Sequence, residues 1–256
     1  EVPGIDTALT PSTIPIADVP ALAANHGIAF QGVTPRGDGF VLTNDEAEAL
    51  LALDDAVYAD VVRPYLIGRD ITSTSRHAPS RWIVDFGQRP LEEAMRYPAA
   101  LAIVRERVKP QRDADPVYEN IWWQLWRPRP ELRRATAALG RFIAGNRLGK
   151  RMFFVWCNPD WRPSDQTITF ALDSDYAIGV LTSRIHTGWA AARCSTLEDR
   201  IRYTPSSAFE TFPWPQPSPE ESDQIAAACR EVLDMRSALC REHEIGLTTL
   251  YNRVDD

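Results

Sequence analysis

Prolines stand at every second position from Pro213 to Pro219. Each proline lacks a backbone donor and fixes φ, so neither a helix nor a central strand passes through such a run. The stretch Thr211 to Pro219 therefore reads as a stiff, extended strap and marks a boundary. Behind it, Ser218-Pro219-Glu220-Glu221 supplies a helix N-cap, a proline at the first helical position and a glutamate at the third. Ile225, Cys229, Val232, Leu233, Leu239 and Cys240 then form the apolar stripe of a helix that ends by Gly246. The expected organisation is a lead-in over residues 1–29, a mixed domain over 30–215 and a helical tail over 216–256.

Ahead of the strap the periodicity alternates between short strands and short helices. Phe30 to Leu42, with Gly32, Gly37 and Gly39, reads as a strand pair joined by a glycine turn. Thr43 and Glu46 form a capping-box pattern that opens a helix running to Leu53. Val61 to Asp70 reads as a proline-containing connection, and Arg81 to Phe86 as a strand. Leu91 to Val108 is helical, divided or kinked at Pro98. A short helix is expected from Pro130 to Leu139, strands from Met152 to Trp156 and Thr167 to Leu172, and one amphipathic helix from Ser174 to Ala192. The fold class is α+β: short sheets with flanking helices, followed by a C-terminal helical tail.

Charge is segregated along the chain. The formal net charge is −7, yet residues 61–155 carry a net of +9 between acidic ends of −9 and −7. Of the 28 basic residues only Lys109 and Lys150 are lysines. Two readings stand: a positive centre that attracts phosphates, or arginines paired with the acidic segments. No apolar run approaches the roughly 20 residues of a membrane span. The first residues, Glu1 to Asp6, have no basic or apolar region of a signal peptide and read as the edge of a longer chain. Cys157, Cys194, Cys229 and Cys240 form no CxxC pair and no zinc spacing with the histidines. Reduced thiols, a cytoplasmic location and no metal site are expected.

Catalytic signatures are missing. No glycine-rich strand–turn–helix for a nucleotide cofactor is present. No carboxylate stands two positions before Lys109 or Lys150, as a metal-dependent nuclease core requires, and there is no GxSxG elbow. Asn158-Pro159-Asp160-Trp161 approximates the loop that grips a flipped base, but aspartate replaces its second proline. A plain loop is expected there, and no catalytic residue or cofactor in this chain.

Chemistry suited to DNA concentrates in one stretch. Arg127-Pro128-Arg129-Pro130 enters a short helix, and Arg141, Asn146, Arg147, Lys150 and Arg151 follow it. Arg129 or Arg147 suits a guanine and Asn146 or Gln166 an adenine, while Lys150 and Arg151 suit phosphates. The bland alternative is a solvated basic surface, with Trp122, Trp123 and Trp126 filling a core.

A series of pieces runs in order through nearly the whole chain. They include Asn25-His26-Gly27, Phe30-Gln31-Gly32, Gly39-Phe40-Val41-Leu42-Thr43, Arg63-Pro64-Tyr65-Leu66-Ile67-Gly68-Arg69-Asp70, Arg81 to Phe86, Tyr97-Pro98 and Val108-Lys109-Pro110. Trp122-Trp123, Arg127 to Glu131, Arg147 to Phe153, Gly179 to His186, Trp189, Phe209 to Pro213 and Leu247 to Asn252 complete them. In this order the chain resembles the target-recognition and C-terminal region of the MmeI-like (type IIL/IIG) DNA adenine-N6 methyltransferases of restriction–modification and phage-defence systems. The resemblance implies double-stranded DNA as partner. It also implies a methylase core N-terminal to residue 1, which would hold S-adenosylmethionine. Two other readings remain: a free-standing enzyme using Asn158 to Trp161, and a scaffold that binds protein through a tryptophan-rich surface.

Overall fold

The computed structural model describes residues 19–255. Of the lead-in expected over residues 1–29, the part up to residue 18 lies outside the described residues. From Ala23 a single 3-10 turn, Ala23–Asn25, precedes the first strand. Asn25 is buried, and its amide donates to the carbonyls of Phe209 at 2.9 Å and Phe212 at 2.8 Å. This ties the beginning of the described chain to the strap nearly two hundred residues later.

Among the described residues three small sheets carry the fold. The first has the order β1 (Ala29–Gln31), β9 (Thr167–Phe170), β5 (Phe142–Asn146) and β7 (Phe154–Cys157), all antiparallel. The second has the order β2 (Val41–Leu42), β4 (Arg81–Val84), β3 (Val62–Leu66) and β8 (Arg162–Pro163), with β3 and β8 parallel. The third joins β10 (Thr196–Leu197), β11 (Arg200–Arg202) and β6 (Leu148–Gly149). Helices α1 (Asn44–Leu51), α2 (Asp55–Tyr58), α4 (Leu91–Ala94), α5 (Pro98–Arg107) and α6 (Lys109–Arg112) accompany the second sheet in sequence, with α3 (Gly68–Ser73) leaving β3. Then come α7 (Pro130–Thr136), α8 (Asp175–Thr182), α9 (Arg184–Arg193), α10 (Pro205–Ala208), α11 (Pro219–Glu242) and α12 (Leu247–Asp255). The architecture is α+β.

The first sheet is packed on both faces. Ile143, Phe154, Ile168 and Phe170 join Ile178, Leu181 and Phe209 in one core. Phe142, Ala144, Val155 and Cys157 join Leu66, Ile71, Cys240 and Leu247 in another. Successive strand residues point to opposite faces, so β5 is buried at all five positions. That burial hides it from sequence inspection, since Phe-Ile-Ala-Gly-Asn shows no alternation of apolar and polar residues.

Several expectations are corrected. Phe30 to Leu42 is not a strand pair: β1 joins the first sheet and β2 the second. The connection read at Val61 to Asp70 contains β3, which lies between β4 and β8. Asp85 donates its N–H to Val61 at 2.8 Å, so hydrogen-bonded pairs fall at 61, 63 and 65. Pro64, opposite Trp82, occupies a pair that exchanges no backbone bonds, and its missing donor costs the β3–β4 ladder nothing. The helix expected from Ser174 to Ala192 is two helices. Ser183 ends α8 and caps α9, its Oγ accepting from His186 N at 3.3 Å.

Local signals hold. Thr43 and Ser218 form the capping boxes their sequences announce, and the stretch ahead of Val108 divides at Pro98. The tail packs on the domain: Cys229 and Cys240 of α11 are buried in separate cores, and Leu247 of α12 is fully buried. A Cβ on Gly246 would lie 2.4 Å from the Ser73 backbone, so only glycine permits α12 to approach α3 this closely.

Candidate nucleic-acid interface

One turn organises the basic residues. Ser164 to Thr167 links β8 to β9, and Thr167 donates to the Ser164 carbonyl through both its N–H, at 2.9 Å, and its hydroxyl, at 2.7 Å. The turn's carbonyls then serve as anchors. Gln31 Nε2 donates to Asp165 O at 2.9 Å, Arg147 Nη1 to the same oxygen at 3.4 Å, and Arg147 N to Gln166 O at 2.9 Å. Gly32 lies against this turn so closely that a Cβ would stand 2.2 Å from the Pro163 and Ser164 carbonyl oxygens.

Arg129 belongs to the same assembly. Its Nε donates to Gly32 O and its Nη2 to Gln31 Oε1, both at 3.3 Å, while Nη1 lies 3.7 Å from Glu131. Its backbone is left-handed, with φ +52°, a conformation unfavourable for a side-chain-bearing residue. Pro130 follows as the first residue of α7. Arg127 is exposed, and its backbone is fixed by paired hydrogen bonds with Thr34 at 3.0 and 3.1 Å.

These arginines feel one another. Burial holds the Arg147 guanidinium below its ordinary pKa, and the cations of Arg202, Arg129 and Arg127 push it the same way, against Asp165. Arg129 is also lowered, first by burial, with Arg127 acting in the same direction. Next to them opens a cleft of about 650 Å³, lined by Arg69, Arg147, Gln166, Arg202 and the β10 strand, in which Asp165 is the single acid among the described residues. Mutually repelling cations beside a concave surface attract an anion and concentrate its field.

The expected residues divide into two groups. Arg147 and Gln166 line this cleft, and Arg129 and Arg127 lie near enough to act on the Arg147 charge. Asn146 lies at its floor, buried, with its amide occupied in closing the β5–β7 hairpin: Nδ2 donates to Leu148 O at 3.2 Å and Arg151 O at 3.0 Å, and Oδ1 accepts from Phe153 N at 2.7 Å. Arg141 stands at the opposite end of β5, where its Nη2 donates to Asp175 at 2.8 Å and its guanidinium stacks 3.7 Å over Trp156. Lys150 pairs with Asp199 at 2.5 Å, and Arg151 lies over the Tyr251 ring in a different pocket. Arg69 and Arg202 escape sequence inspection. Arg202 sits in the short alternating run Arg200-Ile201-Arg202, which pairs with β6, and Arg69 follows Gly68 at the start of α3.

Other candidates resolve into structural roles. Asn158 Oδ1 accepts from Asp160 N at 2.9 Å and Asp160 pairs with Arg63 at 2.7 Å, so the segment is a self-closed turn that lines neither cleft. Gly32 follows β1, Gly37 precedes a 3-10 turn, Asp38–Phe40, and Gly39 lies within it, so the three form no strand–turn–helix and do not fit a nucleotide cofactor. None of the eight tryptophans is exposed, which removes the aromatic surface a protein scaffold was expected to present. His186 is fully buried with Nε2 3.0 Å from Tyr203 Oη, and Trp189 donates to Thr211 at 3.1 Å. All four cysteines are free and buried. Among the described residues no group of three or more His, Cys, Asp or Glu side chains is placed to hold a metal ion, and no helix is long and apolar enough to cross a membrane.

Comparison with known proteins gives the arrangement its context. A solved structure of the Type IIL restriction–modification enzyme MmeI in complex with DNA has the same fold, with TM-score 0.70 over 97% of this chain at 18% identity. The type IIG restriction endonuclease BpuSI overlaps over 79% of the chain at 14% identity with TM-score 0.38, too low to carry an argument. DNA methyltransferase A of Bacillus subtilis (strain 168) is 35% identical over 77 residues, 30% of this chain. The matched regions span 32% of the MmeI chain and 8% of the Bacillus protein. The family model of the MmeI target recognition domain matches residues 11–216, and the chain belongs to that family.

Proposed function

We propose that the arginine cleft binds double-stranded DNA. On this reading the chain sets the sequence specificity of an S-adenosylmethionine-dependent DNA adenine-N6 methyltransferase of a restriction–modification or phage-defence system. The observation that carries the proposal is the convergence of Arg127, Arg129, Arg147 and Arg202 beside one cleft with a single acid among the described residues.

The side chains divide by chemistry. Arg69, Arg127 and Arg202 are exposed and suit phosphates, which fix register. Arg147 and Gln166, mounted on the Ser164–Thr167 turn, suit base edges: a guanidinium fork matches guanine O6 and N7, and a side-chain amide matches adenine N6 and N7. The similarity to an enzyme solved with DNA and to a protein named as a DNA methyltransferase supports the reading. Methyl transfer and cofactor binding would belong to a methylase core N-terminal to residue 1, because the glycines and the Asn158 turn of this chain do not fit them.

Electrophoretic retention of duplex DNA tests the proposal. Arg147→Ala and Arg202→Ala should each weaken binding about tenfold, the loss of one good base or phosphate contact. Arg141→Ala should bind like the parent. Equal losses in all three variants would contradict the proposal.

A further inference from the structure

The third sheet ends in a two-stranded ribbon. β6 pairs with β11 at Ile201 and Arg202, while β10 pairs Thr196 with Ile201 and Leu197 with Arg200. The end formed by Leu197, Glu198, Asp199 and Arg200 therefore extends beyond the reach of β6. Glu198 and Asp199 make the turn, and Glu198 has a left-handed backbone, with φ +57°, a conformation unfavourable for a residue bearing a side chain. Both acids of the turn are neutralised: Glu198 Oε2 accepts from Arg200 Nη2 at 2.7 Å, and Asp199 pairs with Lys150.

Alternation sorts the ribbon's side chains between two faces. Leu197 stands opposite Arg200, and Arg202, two residues on, shares that face. Leu197 and Arg202 both line the arginine cleft, together with Arg69 and Arg147. Ile201 turns to the other side and lines a separate cavity among α8, α9 and α11. The face that meets the cleft thus offers a cation, Arg202, and an apolar group, Leu197, which is 51% exposed. A leucine gains nothing from phosphates. Its apolar surface is favourably withdrawn from water only against another apolar group. In its major groove a duplex presents such a group at the edge of one base, the C5 methyl of thymine. That groove, about 12 Å wide, also admits a two-stranded β-ribbon.

We propose that the β10–β11 ribbon enters the major groove of duplex DNA and that Leu197 packs against a thymine methyl, which adds thymine to the bases this chain selects. The inference rests on duplex binding at the arginine cleft, where Arg202 meets a phosphate and Leu197 meets a base.

The test uses a duplex selected from a random-sequence pool by the 256-residue chain, prepared in two forms, with thymine and with uracil at every thymine position. Uracil keeps each hydrogen-bonding group and removes only the methyl, and in unmodified DNA thymine is the methyl's only source. The parent should bind the thymine form about fourfold more tightly, the worth of one buried methyl group. Leu197→Ser should bind both forms alike, at about the parent's affinity for the uracil form. Ile185→Ala removes an apolar side chain that is 74% exposed and does not line the cleft, and it should keep the full preference. Arg202→Ala should weaken both forms equally and keep the preference. Equal binding of the two forms by the parent, or an undiminished preference in Leu197→Ser, would overturn the proposal and leave DNA binding at the cleft standing. Failure of the parent to retain any duplex would contradict DNA binding at the cleft itself, and the ribbon's role with it.

Discussion

Arg147 is held by the main chain of Asp165 and not by its carboxylate: Nη1 donates to the Asp165 carbonyl oxygen at 3.4 Å. The guanidinium is oriented without being neutralised. A salt bridge would have fixed it equally well and removed the charge that phosphates and base edges need. Gln31 donates to the same carbonyl at 2.9 Å and accepts from Arg129 at 3.3 Å, so one peptide unit positions two arginines. Gln31→Ala should therefore weaken duplex binding several-fold while the chain stays folded, since the glutamine holds Arg129, shares the Asp165 carbonyl with Arg147 and need not touch DNA. Binding isotherms alongside far-ultraviolet circular dichroism check this; parental affinity in the folded variant would contradict it.

Asp85 joins two elements by charge. Its carboxylate has no solvent exposure and pairs with Arg133 of α7 and, at 3.0 Å, with Arg162 of β8, while Gly87 N donates to it at 3.0 Å. Asp85→Asn should lower unfolding stability by about 3–5 kcal/mol, because it leaves two guanidiniums without their counter-charge. Urea denaturation measures the loss; a change below about 1 kcal/mol, the worth of a surface pair, would contradict this account.

Thr43 gives a smaller, local effect. Its Oγ1 accepts from Glu46 N at 3.3 Å, and Thr43 N donates to Glu46 Oε2 at 2.9 Å. Thr43→Ala should cost about 1 kcal/mol in the same assay, with no effect on DNA affinity.

Acid should destabilise the chain through its buried histidines. Burial pushes His186 and His77 down from 6.5 to about 4. Between these values the unfolded state binds protons that the native state refuses, so stability rises with pH there. The contribution is fully present above about pH 6.5 and is lost as pH falls toward 4. His186→Gln should flatten the dependence of the urea midpoint on pH across that window. A slope identical to the parent's would remove His186 from the explanation.

Capping boxes at Thr43 and Ser218, the break at Pro98 and strands β4, β7 and β9 were legible because their signals are local. The β5 strand was not, since burial on both faces erases alternation. The dense arginines between 127 and 151 looked like one patch. The β5 strand instead separates Arg141 from Arg147 by roughly 20 Å at ~3.3 Å per residue, and Asp175 neutralises the former. Arg69 and Arg202 reach the cleft through long-range pairing that no window of sequence contains. The family pieces mark many of the tight contacts: Asn25 against Phe209 and Phe212, Gly32 against the Ser164 turn, and Leu247 beneath α3.

Salt dependence of duplex binding tests the central claim most directly. If Arg69, Arg127 and Arg202 meet phosphates, log affinity should fall against log salt with a slope of about −3, at ~0.9 per phosphate. Arg202→Ala should reduce that slope by about one, and Arg141→Ala should leave it unchanged. A slope near zero, or one that Arg141→Ala flattens and Arg202→Ala does not, would contradict the account.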